Sequence, residues 1–150
     1  MNELIGEVTL LMQAEAARNR AELEIELASG IPAVLADRIQ LQQVLLNLIA
    51  NAIDSMAVED GPRVLSVSSE VRDGEDIVVS VADTGAGIGS QDIQRVFNPL
   101  FTTKSGGMGL GLSICRSIIE GHHGKLEVVP NIPKGAVFQI ALRAHTANAA

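Results

Sequence analysis

Tryptophan and tyrosine are absent, and phenylalanine occurs only three times in 150 residues. The core of this chain therefore has to be built from Leu, Ile, Val and Ala, within a hydrophobic content of 47%. A single cysteine, Cys115, excludes an internal disulfide framework and points to a reducing, cytoplasmic setting. Basic residues are the minority, 11 Lys and Arg against 18 Asp and Glu for a formal net charge of −7. The chain thus lacks the basic face that a nucleic-acid binder needs. No apolar stretch reaches the length of a membrane span, and the N-terminus has no signal-peptide pattern. No direct membrane contact is expected, and any anchor is expected elsewhere in a parent protein. Repeats and low-complexity linkers are missing too. What remains is the expectation of one compact α/β domain over residues 1–150.

Periodicity divides that domain. Leu4, Ile5, Val8, Leu11 and Met12 recur at helical spacing and predict a helix over residues 3–19. In "AELEIELA", Leu23, Ile25 and Leu27 alternate with glutamates, the period of a half-exposed strand. "SGIP" breaks the chain, and "AVLA" (33–36) reads as a short strand. Asp37 is placed to cap a long helix through Met56. "RVLSVSSEV" and "DIVVSVAD" are strand-like runs joined by a hairpin turn at "RDGE". A mostly loop segment from Thr84 to Gly109, with a helical turn near Ile93, leads to a helix from about residue 108 to 120. "KLEVV" and "AVFQIAL" close as a second hairpin around "PNIPKG", and residues 144–150 form a frayed tail. The fold class is α+β: a mixed, mostly antiparallel sheet with helices packed on one face.

Three places carry chemistry. On the long helix, each residue turns by about 100°, so Leu41, Val44, Leu45, Leu48, Ile49, Ala52 and Met56 share a core-facing stripe roughly 140° wide. Gln40, Gln43, Asn47, Asn51 and Asp54 form a separate stripe, polar but barely charged. Amides offer carbonyl oxygen to a hard cation and N–H to phosphate, although hydrogen-bonded structural amides would give the same pattern. The next place is "DTGAGIG". Asp83 stands where a strand meets a loop, and Gly85, Gly87 and Gly89 let backbone approach a flat ligand. A capping Asp in an ordinary turn is the plain alternative. An aspartic protease also carries Asp-Thr-Gly, but this chain has no second such triplet and is rich in helix.

The third is "FNPLFTTKSGGMGLGLSI", residues 97–114, where Gly106, Gly107, Gly109 and Gly111 run into a helix. A glycine-rich entry to a helix N-terminus presents free N–H groups to an anion. Lys104 adds a mobile positive charge, and Phe97, Leu100 and Phe101 would anchor the loop. Seven of the 14 glycines lie between Gly85 and Gly111, as expected of a lid that a nucleotide orders.

Taken in order, "QLQQVLLNLIANAIDSM", "DTGAGI", "FNPLFTTK" and "GGMGLGLSI" resemble the asparagine box, first glycine box, phenylalanine box and second glycine box of the ATP-binding catalytic domain of sensor histidine kinases. That family belongs with the gyrase-, Hsp90- and MutL-type (GHKL) ATPases. The resemblance continues through "GHHGKLEVV" and "KGAVFQIAL" and covers nearly the whole chain. It implies a two-layer Bergerat α/β sandwich with ATP held between the asparagine-box helix and a glycine-rich lid.

By motif position the resemblance implies that Asn51 coordinates Mg²⁺ and that Asp83 accepts from the adenine amino group. Gly85, Gly87 and Ile88 would flank the base. Gly107, Gly109, Leu110, Gly111 and Leu112 would frame the phosphates, with Asn47, Asp54, Thr102, Thr103 and Lys104 as further contacts. Asn47 and Lys104 are the expected catalytic residues. Asn47 stands where gyrase-like ATPases place a water-activating glutamate; an amide cannot act as a general base, which disfavours hydrolysis and favours transfer. Two departures are Asn98, where Glu is commoner, and Leu100, where an aromatic is commoner. His122, His123 and His145 lie in no acceptor-like helical context and read as surface residues. The implied activity is transfer of the γ-phosphoryl group to a histidine on the chain's own upstream dimerisation domain, beside which the helix at 1–19 would sit. A response regulator would act downstream. An anti-sigma-factor-type serine kinase and a non-catalytic nucleotide module are the alternatives.

Overall fold

The computed structural model describes residues 1–99, 101 and 111–145. Three helices, α1 (Asn2–Arg18), α2 (Arg38–Ala57) and α3 (Gly111–Gly121), pack against a five-stranded sheet. Its strands are β1 (Glu22–Leu27), β2 (Val64–Arg72), β3 (Asp76–Ala82), β4 (Lys125–Pro130) and β5 (Ala136–Arg143). The spatial order is β1-β2-β3-β5-β4. β1 runs parallel to β2 and every other pairing is antiparallel, so the sheet is mixed, as expected.

Local chemistry accounts for most boundaries. The Asp37 carboxylate accepts from the Gln40 N–H at 3.0 Å and so caps α2. Asp73 and Gly74 adopt positive φ (55° and 72°) between β2 and β3, the turn whose twist matches the flanking strands. At the far ends of α1 and α2, the Arg63 guanidinium donates to the carbonyls of Asn19 (2.7 Å), Ala57 (3.1 Å) and Glu59 (3.3 Å). Those carbonyls lie where helices run out of internal partners.

The core sits between the helices and one sheet face. All seven residues assigned to the core stripe of α2 are buried, joined by Ile53. They meet Leu65 and Val67 of β2, Ile77, Val79 and Val81 of β3, and Phe138, Ile140 and Leu142 of β5. Aliphatic side chains dominate, with Phe97, Phe138, Met56 and Cys115 filling the remainder.

One expectation changes. "AVLA" is not a strand: residues 33–36 pair with no neighbour in the sheet, and Leu35 is 76% exposed. Among the described residues, one bond, from the His145 N–H to the Ala33 carbonyl, is the ladder-like pairing there. α3 is described from Gly111; residues 108–110, expected in its first turn, lie outside the described residues. The helical turn expected near Ile93 is present, with the N–H of Ile93 donating to the Gly89 carbonyl and that of Val96 to the Asp92 carbonyl.

Candidate nucleotide site

β3 carries its chain out of the sheet at Asp83, whose side chain is only 2% exposed. Its Oδ1 accepts from the Gly85 N–H at 2.9 Å and the Ala136 N–H at 3.3 Å. Both backbone donors converge on one oxygen, which leaves Oδ2 as the acceptor for an incoming donor. Burial pushes the Asp83 carboxyl above the usual carboxylate range, and the two N–H bonds pull partly the other way. An ionised or strongly polar acceptor is thus held at a fixed place, with little freedom to turn.

The surrounding loop is immobilised from three sides. Gly85 packs on α2 so closely that a Cβ would lie 2.7 Å from the Ser55 carbonyl. The Thr84 hydroxyl donates to the Pro62 carbonyl (3.0 Å) and accepts from the Val64 N–H (3.1 Å), tying the loop to the start of β2. From the β4–β5 hairpin, Asn131 donates its side-chain amide to the Asp83 carbonyl at 2.7 Å. Gly135, at φ 107°, lies so close behind Asp83 that a Cβ would overlap that same carbonyl. Gly87, at φ 77°, would bring a Cβ within 3.1 Å of the Gly135 carbonyl oxygen. These close approaches leave backbone, rather than side chains, lining the space beside Asp83.

The helix on which Gly85 packs, α2, also carries the amide face. Gln40, Gln43 and Asp54 are exposed, while Asn47 and Asn51 are half-buried. Asn47 donates its amide to the Cys115 sulfur at 3.7 Å, and the Cys115 thiol donates to the Val44 carbonyl at 3.9 Å. α3 is thereby pinned against α2 beside the amide face. Burial raises the Cys115 pKa, so this thiol stays protonated and serves as packing. Among the described residues no three His, Cys, Asp or Glu side chains gather as a metal site. A divalent cation here would rely on amide oxygen and on the phosphate oxygens of the nucleotide itself.

The segment leading toward the lid is anchored where it is described. Phe97 is buried edge-on against Phe138 (centroids 6.1 Å apart, 88° between planes), with the Arg116 guanidinium 5.3 Å from its ring centre. Phe101 is half-buried beneath the Arg95 guanidinium at 5.4 Å, and Arg95 also pairs with Asp92 at 2.7 Å. Asn98 is exposed. Of the expected site residues, Asn47, Asn51, Asp54, Asp83, Gly85, Gly87, Ile88, Gly111 and Leu112 are described; Leu100, Thr102, Thr103, Lys104, Gly107, Gly109 and Leu110 lie outside the described residues. Sequence reasoning missed Asn131, Gly135 and Ala136, which hold Asp83 from 48 to 53 residues away. The glycine and asparagine of "PNIPKG" were the only signal, and they read there as a turn.

A buried acceptor at a strand end, a glycine loop without room for side chains and an adjoining amide helix define an ATP-binding domain. Residues 36–146 match the model of the histidine kinase-, DNA gyrase B- and HSP90-like ATPases, and the chain belongs to that family. Within it the chain is the catalytic, ATP-binding domain of a sensor histidine kinase, as its relatives show. It is 42% identical over 148 residues to the sensor protein FixL of Bradyrhizobium diazoefficiens, covering 99% of this chain and 29% of that protein. The nucleotide-free catalytic domain of histidine kinase ThkA superimposes with a TM-score of 0.84 at 35% identity, over 95% of this chain and 93% of that one. Full-length ShkA in complex with AMPPNP also reaches 0.84, at 29% identity, over 97% of this chain and 30% of that one. The chain thus spans less than a third of the curated relative's length.

Proposed function

We propose that this chain, acting as one catalytic module, binds Mg-ATP between the amide face of α2 and the start of α3, and passes the γ-phosphoryl group to a histidine on a separate dimerisation domain. The observation that carries the reading is Asp83: a buried carboxylate whose Oδ1 is taken by two backbone donors, leaving Oδ2 for the adenine amino group. Gly85, Gly87 and Ile88 would flank the base, where the lack of side chains at the glycines lets a planar ring approach. Asn51 would offer its amide oxygen to Mg²⁺, with Asn47 and Asp54 on the same face. The ion, once bound, neutralises phosphate charge. The start of α3, with Gly111 and Leu112, would face the phosphates. Thr102, Thr103, Lys104, Gly107, Gly109 and Leu110 would complete that side, with Lys104 steadying the transferred group.

Asn47 has no basic atom to activate water, so transfer to a protein acceptor should outrun hydrolysis. Its amide is also turned to Cys115, which supports an orienting role for it. The acceptor domain and a response regulator are partners of this reading, supported by the length of FixL beyond the matched region. α1 would lie beside that domain. No described helix is long and apolar enough to cross a membrane, and a cytoplasmic position is proposed whether or not the parent is anchored.

The experiment is radiolabelled ATP with this chain alone, then with its dimerisation domain, followed by acid. Slow turnover alone and acid-labile label on the partner are expected. Acid-stable label would indicate a serine kinase, and rapid hydrolysis by the chain alone would refute transfer as its task.

A further inference from the structure

His122 reads as a surface residue in the sequence, yet the structure sets it between two helices. It is half-buried just past the end of α3, with Nδ1 2.7 Å from the Ile118 carbonyl oxygen. Its Nε2 lies 3.0 Å from the backbone nitrogen of Asp37, the cap of α2. Both partners have fixed roles. A carbonyl only accepts, so Nδ1 carries the proton; a backbone N–H only donates, so Nε2 presents its lone pair. The ring is therefore the neutral Nδ1–H tautomer, bridging the C-terminal end of α3 to the N-terminal end of α2.

The same helices touch again seven residues along each, where the Cys115 thiol meets the Val44 carbonyl at 3.9 Å. α2 and α3 thus run antiparallel. Continuing the count four residues from Cys115 to Gly111 brings the start of α3 level with Leu48, within one turn of Asn51. Beside His122 a shallow groove of about 450 Å³ runs along α3, lined in part by Ser113, Ile114, Ser117 and His122, with Gln40 of α2 at its edge. The bridge adds a polar tie at this end to the packing of the buried Ile119 and Leu41.

We propose that His122 is a positioning residue whose bridge from Ile118 to Asp37 fixes the distance between the amide face of α2 and the phosphate-facing start of α3, and does so only while its ring is neutral. The proposal rests on the nucleotide site argued above and adds a residue to its control. With the Cys115 contact as pivot, about 10 Å of helix lies on the His122 side and about 6 Å on the Gly111 side. Releasing the bridge by about 1 Å then shifts the start of α3 by roughly 0.6 Å. Misplacement on the order of 1 Å can cost about a hundredfold where groups must be aligned.

A second proton on Nε2 would set donor against donor at the Asp37 N–H. The charged groups on the packed elements are already engaged. The Asp37 carboxylate accepts from the Gln40 N–H, and Arg38 pairs with Glu7 at 2.6 Å. On the other side Glu120 pairs with Arg116 at 3.0 Å and Lys125 with Glu127 at 2.6 Å, while His123 follows His122 in the turn. A protonated ring would have to compete for the Asp37 carboxylate that the first turn of α2 uses.

The test uses the chain as it stands. Ring ¹⁵N shifts of the wild type should show the Nδ1–H tautomer at neutral pH; the Nε2–H tautomer would overturn the proposal. His122→Asn keeps a short donor for Ile118 but cannot reach Asp37, whereas the carbonyl of His122→Gln can. Loss of one hydrogen bond predicts about five- to tenfold weaker Mg-ATP binding by His122→Asn. Adenosine binding should not change, because Asp83 on β3 is outside the bridge. His122→Gln should recover Mg-ATP affinity. Equal losses for both ligands, no loss in His122→Asn, or no recovery in His122→Gln would overturn the role. Wild-type protein that binds neither ligand would instead overturn the nucleotide reading beneath it, an outcome distinct from normal binding with an unaffected variant.

Discussion

Asp83→Asn separates ligand recognition from stability in a single atom exchange. In the wild type, the Gly85 and Ala136 N–H groups hold Oδ1 at 2.9 and 3.3 Å. An asparagine must keep its own oxygen toward those two donors, since the reverse rotamer would face N–H with NH₂. Its amide nitrogen is therefore forced into the place of Oδ2, where it meets the adenine amino group donor to donor. Losing and reversing one buried hydrogen bond costs about 1–3 kcal/mol, or roughly ten- to a hundredfold in ATP affinity. Stability should move the other way. The Asp83 carboxyl is raised by burial, so its folded-state pKa lies above its unfolded value. The stabilisation this gives is present below the unfolded pKa and is lost as pH rises through the folded one. Once ionised, the wild type holds a buried charge that the amide lacks. The variant should melt no lower than the wild type at pH 7 and should lack the wild type's gain as pH falls through the carboxylate range. Calorimetric titration with ATP and thermal melts across pH measure both effects. A folded variant with unchanged ATP affinity would refute the adenine assignment, and one that melts well below the wild type would refute the account of Oδ1.

Asn51→Ala should weaken Mg-ATP far more than adenosine, because its amide oxygen would act through the metal on the phosphates; equal losses in parallel titrations would make Asn51 structural. Gly135→Ala places a Cβ against the Asp83 carbonyl at φ 107°, so a loss of at least about 2 kcal/mol is expected in urea unfolding, with ATP affinity falling alongside. Arg63→Ala removes the donors that close the ends of α1 and α2; a loss of about 1–2 kcal/mol is expected with ATP affinity of the folded protein unchanged. A neutral Arg63 variant would show that water satisfies those carbonyls equally well.

Much of this protein is written locally. The stripe of α2, its Asp37 cap and the Asp73–Gly74 turn each depend on residues within a few positions of one another, where dihedral preference and periodicity act directly. Asp83 at a strand end beside glycines was legible for the same reason, and so was the order of the four motif blocks. The segment at 33–36 shows the limit. Its apolar residues suit a strand, but a strand exists only with a partner edge, and the segment lies along neither outer strand, β1 or β4, of the order β1-β2-β3-β5-β4. Tertiary structure alone decided what holds the site in place. Asn131, Gly135 and Ala136 close around Asp83 only because β5 pairs with β3 and returns the hairpin beneath the loop. Cys115 reaches Asn47, and His122 reaches Asp37, across 68 and 85 residues because α3 lies antiparallel on α2. Contacts of that kind leave no periodic trace, since a hydrogen bond between distant residues constrains their positions in space and not their spacing in the chain.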